Sequence, residues 1–246
     1  MNSIIKDPHF QVETIKSTPN PQQVCWLAMH QDYAEDFVWE ERDRAPEETK
    51  AGEKVIKNLL AGGKGHWGPL EHPQIILNVG YFPHSAMQQL RTHRVGVSFD
   101  VQSGRYTSQR VLDVLEEKRN VEEVFYLRPL GYYTNRKGKK YYYTEEERNA
   151  DLEWCMMACE RYTNKINEGF AEEHARGIIP FDIRQHFVLS CNARSLMHLL
   201  DLRWKKDAQP EIQQLSELMF DKFNEWMPQI AEWYQETRAK KAKLSP

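Results

Sequence analysis

Cationic and hydroxyl side chains are concentrated in one stretch of the sequence, residues 88–107, where they surround two glycines. Arginine presents planar N–H groups that can bind an oxyanion through two hydrogen bonds at once, and serine adds a hydroxyl donor. A glycine beside them lets the backbone come close to a ligand. This stretch therefore predicts a phosphate-binding site, with a solvated basic helix end as the alternative. The residues concerned are Arg91, His93, Arg94, Ser98, Ser103, Gly104 and Arg105.

A second segment, residues 192–203, predicts a helix with an unusual mixture of side chains. Asparagine is a favourable N-cap, so Asn192 is expected to begin the helix. Leucines recur behind it at helical spacing, but Arg194, His198 and Arg203 are interleaved with them. So many polar groups do not suit a buried face, and we expect some of them to contact a polar partner.

Together these segments resemble the motifs of the flavin-dependent thymidylate synthases. That family carries an Arg-His-Arg triplet, a short spacer and Ser-x-Arg-Tyr, matched here by Thr92-His93-Arg94 and Ser103-Gly104-Arg105-Tyr106. The run 192–197 resembles the second block of the family, and residues 66–72 resemble a third. Ala175-Arg176 followed by Pro180 adds a fourth match, so the resemblance covers about residues 25–225.

The sequence departs from the family pattern at several positions. Thr92 stands where the triplet has its first arginine, and we expect Arg91 to supply the missing charge. The spacer between Arg94 and Ser103 has eight residues where seven are usual, which leaves the polar position before Ser103 ambiguous between Val101 and Gln102. His198 and Gly68 also replace a more usual amide and hydroxyl.

The resemblance implies a fold and a mode of assembly. The expected class is α+β, with a twisted, largely antiparallel central sheet flanked by helices. One domain would cover residues 1–246, with a basic, disordered tail from about residue 238. The sequence has no G-x-G-x-x-G element, so a flavin would be held by arginines and loops outside a Rossmann fold. In this family that happens where the subunits of a homotetramer meet.

The resemblance also implies the reaction. The expected enzyme methylates dUMP to dTMP, with 5,10-methylenetetrahydrofolate as carbon donor and NADPH-reduced FAD as hydride source. This route needs no protein nucleophile, and none of the four cysteines has an obviously activating sequence context. We interpret Cys25, Cys155, Cys159 and Cys191 as reduced core thiols.

Site residues are carried over by position. Arg203 would be catalytic, because a fixed positive charge at the uracil edge favours the ring deprotonated at nitrogen 3 and enriches carbon 5 in electrons. A cation that stabilises the helix dipole is the alternative for Arg203. The dUMP set is Gln89, Arg91, Gln102, Ser103, Gly104, Arg105, Arg176 and Arg203. The FAD set is His66, Gly68, Thr92, His93, Arg94, Asn192, Arg194 and His198.

No metal site is predicted. His66 and His72 flank a loop-like Trp-Gly-Pro-Leu-Glu sequence that differs from the helical H-E-x-x-H zinc pattern. Glu71 and His72 could as easily be structural.

Composition limits the alternatives. The chain has 33 basic and 36 acidic residues and a net charge of −3, which disfavours general coating of nucleic acid. It has no apolar run of about 18 residues and begins without a signal-peptide core, so a soluble cytoplasmic protein without membrane or nucleic-acid partners is expected. The rival interpretations are a nucleic-acid-binding module and a flavin-free nucleotide-binding regulator.

Turn and cap signals predict the surrounding elements. The Tyr-rich and Lys-rich residues 128–143 predict a hairpin-like excursion, which we interpret as a surface or subunit-contact insertion rather than a single-strand nucleic-acid site. The other predictions are a helix from Pro46 to Gly62-Gly63, a strand 74–82, a short helix from Ser85 carrying Arg91, a helix from Thr144 through Ile166, a strand 183–191, and C-terminal helices that begin at Pro210 and are divided by Pro228.

Overall fold

A computed structural model describes residues 6–241 of the protein. Helices and strands alternate irregularly along the chain, as expected for an α+β protein rather than for regular βαβ repeats. In chain order the elements are β1 Gln11–Ser17, α1 Pro21–Gln31, α2 Val38–Glu41, α3 Glu48–Val55, β2 Gln74–Pro83, α4 His84–Leu90, β3 Val97–Val101, α5 Gln109–Leu115, α6 Val121–Val124, β4 Gly131–Thr134, β5 Lys140–Tyr143, α7 Glu145–Asn167, α8 Glu172–Ala175, β6 Arg184–Asn192, α9 Ala193–Arg203, α10 Pro210–Trp226 and α11 Pro228–Thr237.

Four of the strands form one sheet in the order β1-β2-β6-β3. With 53% of residues helical, 17% in strands and an antiparallel sheet, the structure confirms the predicted α+β class. The strands β4 and β5 form a separate antiparallel hairpin, which confirms the predicted excursion at 128–143. The turn of this hairpin includes Gly138, whose φ of +80° suits glycine.

Tertiary contacts divide the described residues into two compact units. The first comprises the residues up to Gln11 together with 80–88 and 101–187. The second comprises 12–79, 89–100 and the residues from 188 onward. The single domain predicted from the sequence stays a prediction.

The first unit has an apolar cluster beside a buried arginine. Cys155, Cys159 and Tyr162 of α7 pack with valines of α5 and α6, which agrees with the expected core role of these thiols. Arg184 is 1% exposed and donates to Asp7 Oδ2 at 2.7 Å and to the carbonyl of Tyr81 at 2.8 Å. Because a buried charge needs a partner, this pair holds the segment before β1 against β2 and β6.

The second unit buries the apolar faces of α9, α10 and α11. Asp201 of α9 is buried and accepts hydrogen bonds from the Tyr234 hydroxyl at 3.1 Å and from Arg238. Burial raises the pKa of Asp201, opposed by the Arg238 charge. The predicted basic tail begins at about residue 238, and within it Lys240 lies over the Trp204 ring, 4.6 Å from its centroid. The rest of that predicted tail, 242–246, lies outside the described residues.

Most element boundaries agree with the sequence predictions. Thr144 and Glu147 form the predicted capping box of α7, and Asn192 caps α9 through the Ser195 amide. The helix predicted from Pro46 is shorter than expected, because α3 ends at Val55 and a wider turn continues to Leu60. Arg91 was expected within the short helix after Ser85, but α4 ends at Leu90.

Within residues 6–241, no helix combines the length and apolar character needed to cross a membrane.

Candidate functional site

Arg203, the last residue of α9, is held by three hydrogen bonds in the second unit. Its Nε donates to His93 Nε2 at 2.9 Å. Its Nη2 donates to the Gln89 carbonyl at 3.0 Å and to Thr92 Oγ1 at 2.8 Å. The acceptors all lie at the end of α4 or just beyond it, so these bonds link two elements instead of satisfying the carbonyls of α9 itself.

His93 is buried and can accept from Arg203 only as the neutral imidazole protonated on Nδ1. Burial and then the Arg203 and His198 charges lower the pKa of His93 to about 4. The His198 ring lies edge-on to His93 with the centroids 5.5 Å apart. His93 therefore stays uncharged near neutral pH and leaves the charge of Arg203 uncompensated.

Gln89 near the end of α4 and Thr92 just beyond it are joined by a hydrogen bond. The Thr92 hydroxyl donates to the Gln89 carbonyl at 2.7 Å while it accepts from Arg203. The Gln89 side chain donates to Gln209. Arg91 is exposed, and its side chain makes no hydrogen bond or ion pair with any described residue, so the charge replacement predicted for it stays a prediction.

The start of α9 is joined to the spacer that follows Arg94. Asn192 Oδ1 accepts from the Ser195 amide at 2.7 Å, and Ser195 Oγ donates to the Val95 carbonyl at 3.0 Å. Gly96 has a φ of +64°, and a Cβ at this position would lie 2.3 Å from Ser195 Oγ. Gly96 is thus required both by its backbone conformation and by the close approach of α9.

Arg194 is paired with the loop of the third motif. Its Nη1 donates to Glu71 Oε1 at 2.5 Å across 123 positions of sequence. His66 is exposed, with its amide bonded to the Leu59 carbonyl at 3.2 Å, and Gly68 opens the turn that ends at Glu71. Glu71, which the sequence left between functional and structural roles, therefore positions Arg194.

The first unit brings together four members of the predicted dUMP set, three in the loop after β3 and the fourth, Arg176, after α8. A Cβ on Gly104 would lie 3.6 Å from Cδ of Arg176, so this backbone and that arginine are adjacent. Arg105 Nε lies 3.9 Å from Glu173 Oε2, and both side chains are about half exposed. The Ser103 hydroxyl accepts from the Arg105 amide at 3.4 Å. Two guanidinium groups and a hydroxyl therefore lie near one another, those of Arg105 and Ser103 in the loop after β3 and that of Arg176 in the turn after α8.

Gln102 follows β3 and is bonded to the backbone of β6. Its backbone amide donates to the His186 carbonyl at 2.9 Å, and its side-chain Oε1 accepts from the His186 backbone amide at 3.4 Å. Burial and then the Arg110 and Arg119 charges lower the pKa of His186. Of the two candidates before Ser103, Val101 is the last residue of β3, and Gln102 carries the polar contact.

All four cysteines are free and buried. Burial raises the pKa of Cys25, Cys159 and Cys191 to about 12 and that of Cys155 to about 11. Thiols in this state are poor nucleophiles at neutral pH.

No group of three or more His, Cys, Asp or Glu side chains among residues 6–241 is placed to hold a metal ion.

Comparison with known proteins decides the family. Residues 13–229 match the sequence model of the family described as "Thymidylate synthase complementing protein". A flavin-dependent thymidylate synthase from Haloarcula marismortui is 32% identical over 250 residues, which cover 96% of this chain and 99% of the relative. The chain belongs to the flavin-dependent thymidylate synthase family. A second such synthase, from Halobacterium salinarum, is 31% identical over 96% of this chain and 100% of the relative.

Solved structures share the fold of this flavin-dependent thymidylate synthase family member. The UMP/dUMP methylase PolB from Streptomyces cacaoi, bound with 5-Br dUMP, has a TM-score of 0.74 and 24% identity over 96% of this chain and 97% of its own. ThyX from Helicobacter pylori, solved with FAD and dUMP, has a TM-score of 0.64 and 22% identity over 86% of this chain and 92% of its own.

Among the contacts that the sequence did not indicate are those of Arg105 with Glu173 and of Arg203 with Thr92. Glu173 stands three residues before Arg176, a helical spacing that could have suggested a shared surface. The Thr92 hydroxyl was assigned to the flavin set as a departure from the triplet, and no local signal connects it with Arg203.

The close approach of Gly96 to α9 generates a prediction about stability. Gly96→Ala is expected to lower the free energy of unfolding by about 2 kcal/mol or more, since it combines left-handed backbone strain with a clash at Ser195. Gly62→Ala is the matched control, because Gly62 has a φ of +70° and nothing within 4 Å of an added Cβ. It should lose only about 1 kcal/mol in urea unfolding. Equal losses in the two variants would contradict the docking of Gly96 on α9.

The lowered pKa of His93 generates a second prediction. Because the unfolded chain has the ordinary histidine pKa of about 6.5, it binds more protons than the folded chain between pH 6.5 and about 4. The free energy of unfolding should therefore fall as pH is lowered through this range. His93→Gln keeps an acceptor for Arg203 but cannot titrate, so urea unfolding at several pH values should give a smaller decrease. Identical pH dependence in both proteins would show that His93 is not held neutral.

Proposed function

We propose that this protein methylates dUMP reductively to dTMP, taking the carbon from 5,10-methylenetetrahydrofolate and reducing equivalents from FAD that NADPH reduces. Membership of the flavin-dependent thymidylate synthase family supports this proposal. The ligands bound in the structural neighbours are consistent with it, because one carries 5-Br dUMP and another FAD and dUMP.

The observation that carries the proposal is the geometry of Arg203. Its Nε and Nη2 are bonded to protein acceptors, whereas Nη1 has no hydrogen-bond acceptor among residues 6–241. Burial lowers the pKa of Arg203, but an arginine remains charged at neutral pH. A pyrimidine placed against Nη1 would meet a fixed positive charge. That charge favours the ring deprotonated at nitrogen 3 and makes carbon 5 more nucleophilic.

The dUMP phosphate is assigned to the loop after β3. Arg105 and Arg176 supply planar donors, and Ser103 and the Gly104 backbone complete the cradle. Glu173 is the present partner of Arg105, at 3.9 Å and with both groups about half exposed. Such an exposed pair contributes little, so a dianionic phosphate can replace Glu173 at Arg105.

The residues of the flavin set fit a cofactor with a diphosphate and a polar ring edge. Arg94 is exposed and has no bonded partner among the described residues, which leaves its guanidinium available to a diphosphate. Arg194 is oriented by Glu71, and Asn192 fixes the start of α9 through Ser195. When bound and reduced, FAD supplies the hydride that completes the methyl group.

The proposed activation of carbon 5 is electrostatic and needs no covalent bond to a cysteine. A cysteine adding to the ring would need a thiolate, and burial of all four thiols raises their pKa well above neutrality. Activation by Arg203 supplies a route that needs no covalent bond to the protein. A homotetramer with its active sites at subunit interfaces, and a cytoplasmic location, stay predictions.

The reaction itself is tested on the purified wild-type protein. Incubated anaerobically with dUMP, methylenetetrahydrofolate, FAD and NADPH, it is expected to form dTMP and to oxidise NADPH in a dUMP-dependent manner. A protein that binds dUMP without flavin, forms no dTMP and oxidises no NADPH would instead be a flavin-free nucleotide-binding regulator and would contradict the proposal. A colourless protein that binds oligonucleotides and not dUMP would favour a nucleic-acid-binding module and contradict the proposal.

Substitutions of Arg203 and of Arg105 should change different kinetic parameters. Arg203→Ala is expected to lower the rate of dTMP formation at saturating dUMP by about 100-fold or more, since it removes charge stabilisation specific to the activated ring. Arg105→Ala should mainly raise the half-saturating dUMP concentration, because the arginine binds the phosphate equally well in the ground state and in the transition state. Single-turnover product formation is the measurement. An Arg203→Ala protein that matched wild type there would end the assignment of uracil activation.

A further inference from the structure

The Thr92 hydroxyl is placed between two groups that need it in different ways. It donates its one hydrogen to the Gln89 carbonyl at 2.7 Å, and it accepts from Arg203 Nη2 at 2.8 Å. A hydroxyl has a single donor and two acceptor lone pairs, so donation to the carbonyl orients a lone pair toward the arginine. The direction of both hydrogen bonds is therefore determined.

Arg203 is consequently held along one edge of its guanidinium. One hydrogen of Nη2 is taken by Thr92 and the other by the Gln89 carbonyl, while the Nε hydrogen is taken by His93. Both hydrogens of Nη1 remain without an acceptor among residues 6–241. Removal of the bond to Thr92 would leave Nη2 with only the Gln89 carbonyl, and the guanidinium plane could then reorient more easily by rotation about the Cδ–Nε and Cγ–Cδ bonds.

We propose that Thr92 is a positioning residue for Arg203, whose hydroxyl fixes the guanidinium so that Nη1 is presented to the pyrimidine ring. This inference rests on the proposed function, since it assumes that Arg203 activates the ring. On this proposal Thr92, at the first position of the triplet, orients Arg203 and does not bind the cofactor through a charge.

The residue type supports this role. An arginine at position 92, as in the usual triplet, has donors only and could not accept a hydrogen bond from Arg203. It would also add a positive charge beside one that the protein leaves uncompensated. Threonine supplies the acceptor without charge, and its branched Cβ restricts the side chain to few rotamers, so the hydroxyl is held in place.

The test compares Thr92→Val, which is nearly isosteric and lacks the hydroxyl, with Thr92→Ser, which retains it. Thr92→Val is expected to lower kcat for dTMP formation by about 10-fold, the scale of one hydrogen bond to a charged group, with KM for dUMP within about twofold of wild type. Thr92→Ser should restore kcat to within about threefold. A Thr92→Val protein with wild-type kcat, or a Thr92→Ser protein as slow as Thr92→Val, would overturn the proposal.

Thr237→Val is the matched control. The Thr237 hydroxyl donates to the Trp233 carbonyl at 2.6 Å, which is the same kind of local bond, but no arginine donates to it. This variant should keep wild-type kcat. A comparable loss in Thr237→Val would attribute the effect to a general change in the fold and would overturn the assignment to Arg203.

A measurement without turnover separates this inference from the proposed function. In the ¹⁵N NMR spectrum, the Arg203 Nε–H should exchange with water at least about 10-fold faster in Thr92→Val than in wild type or Thr92→Ser. Unchanged exchange would overturn the positioning role. If wild type forms no dTMP but exchange still depends on the Thr92 hydroxyl, the proposed reaction fails and the positioning of Arg203 stands.

Discussion

A guanidinium that donates to a neutral imidazole is the interaction on which the candidate site depends. Arg203 and His93 form this bond at 2.9 Å, and it exists only while His93 is unprotonated. Burial and the neighbouring charges keep the pKa of His93 near 4, so the bond is maintained at neutral pH. A carboxylate in place of His93 would hold Arg203 as firmly but would cancel its field. The imidazole and hydroxyl partners fix the direction of the charge and leave its magnitude intact.

Arg184 and Arg238 have the opposite arrangement, because each of them is paired with a buried carboxylate. Breaking such a pair would expose an uncompensated charge. Arg105 has only a half-exposed carboxylate at 3.9 Å, which a phosphate can displace. The pairs of the first kind are Arg184 with Asp7 and Arg238 with Asp201. The counter-charge thus distinguishes Arg184 and Arg238, which stabilise the fold, from Arg105, which is available for binding.

Local sequence signals predicted the elements better than the contacts between them. The strand at 74–83, the capping box at Thr144 and the Asn192 cap each depend on residues a few positions apart, so they could be recognised in the sequence. The bond between His93 and Arg203 spans 110 positions and has no periodic signature. The family motifs identified both residues, but only the folded chain reveals that they bind each other. The shortened α3 was also missed, because continued apolar spacing hides a change in helical pitch.

The spacer between Arg94 and Ser103 is held to the rest of the protein at both of its ends. Gly96 adopts a left-handed conformation that ordinary residues rarely take, and the Val95 carbonyl accepts from Ser195 at the start of α9. β3 then runs from Val97 to Val101, and the Gln102 backbone amide that follows donates to the His186 carbonyl. Because the turn before β3 is bonded to α9 and the residue after it to β6, both ends of the strand that leads to the Ser-x-Arg element are fixed by backbone hydrogen bonds.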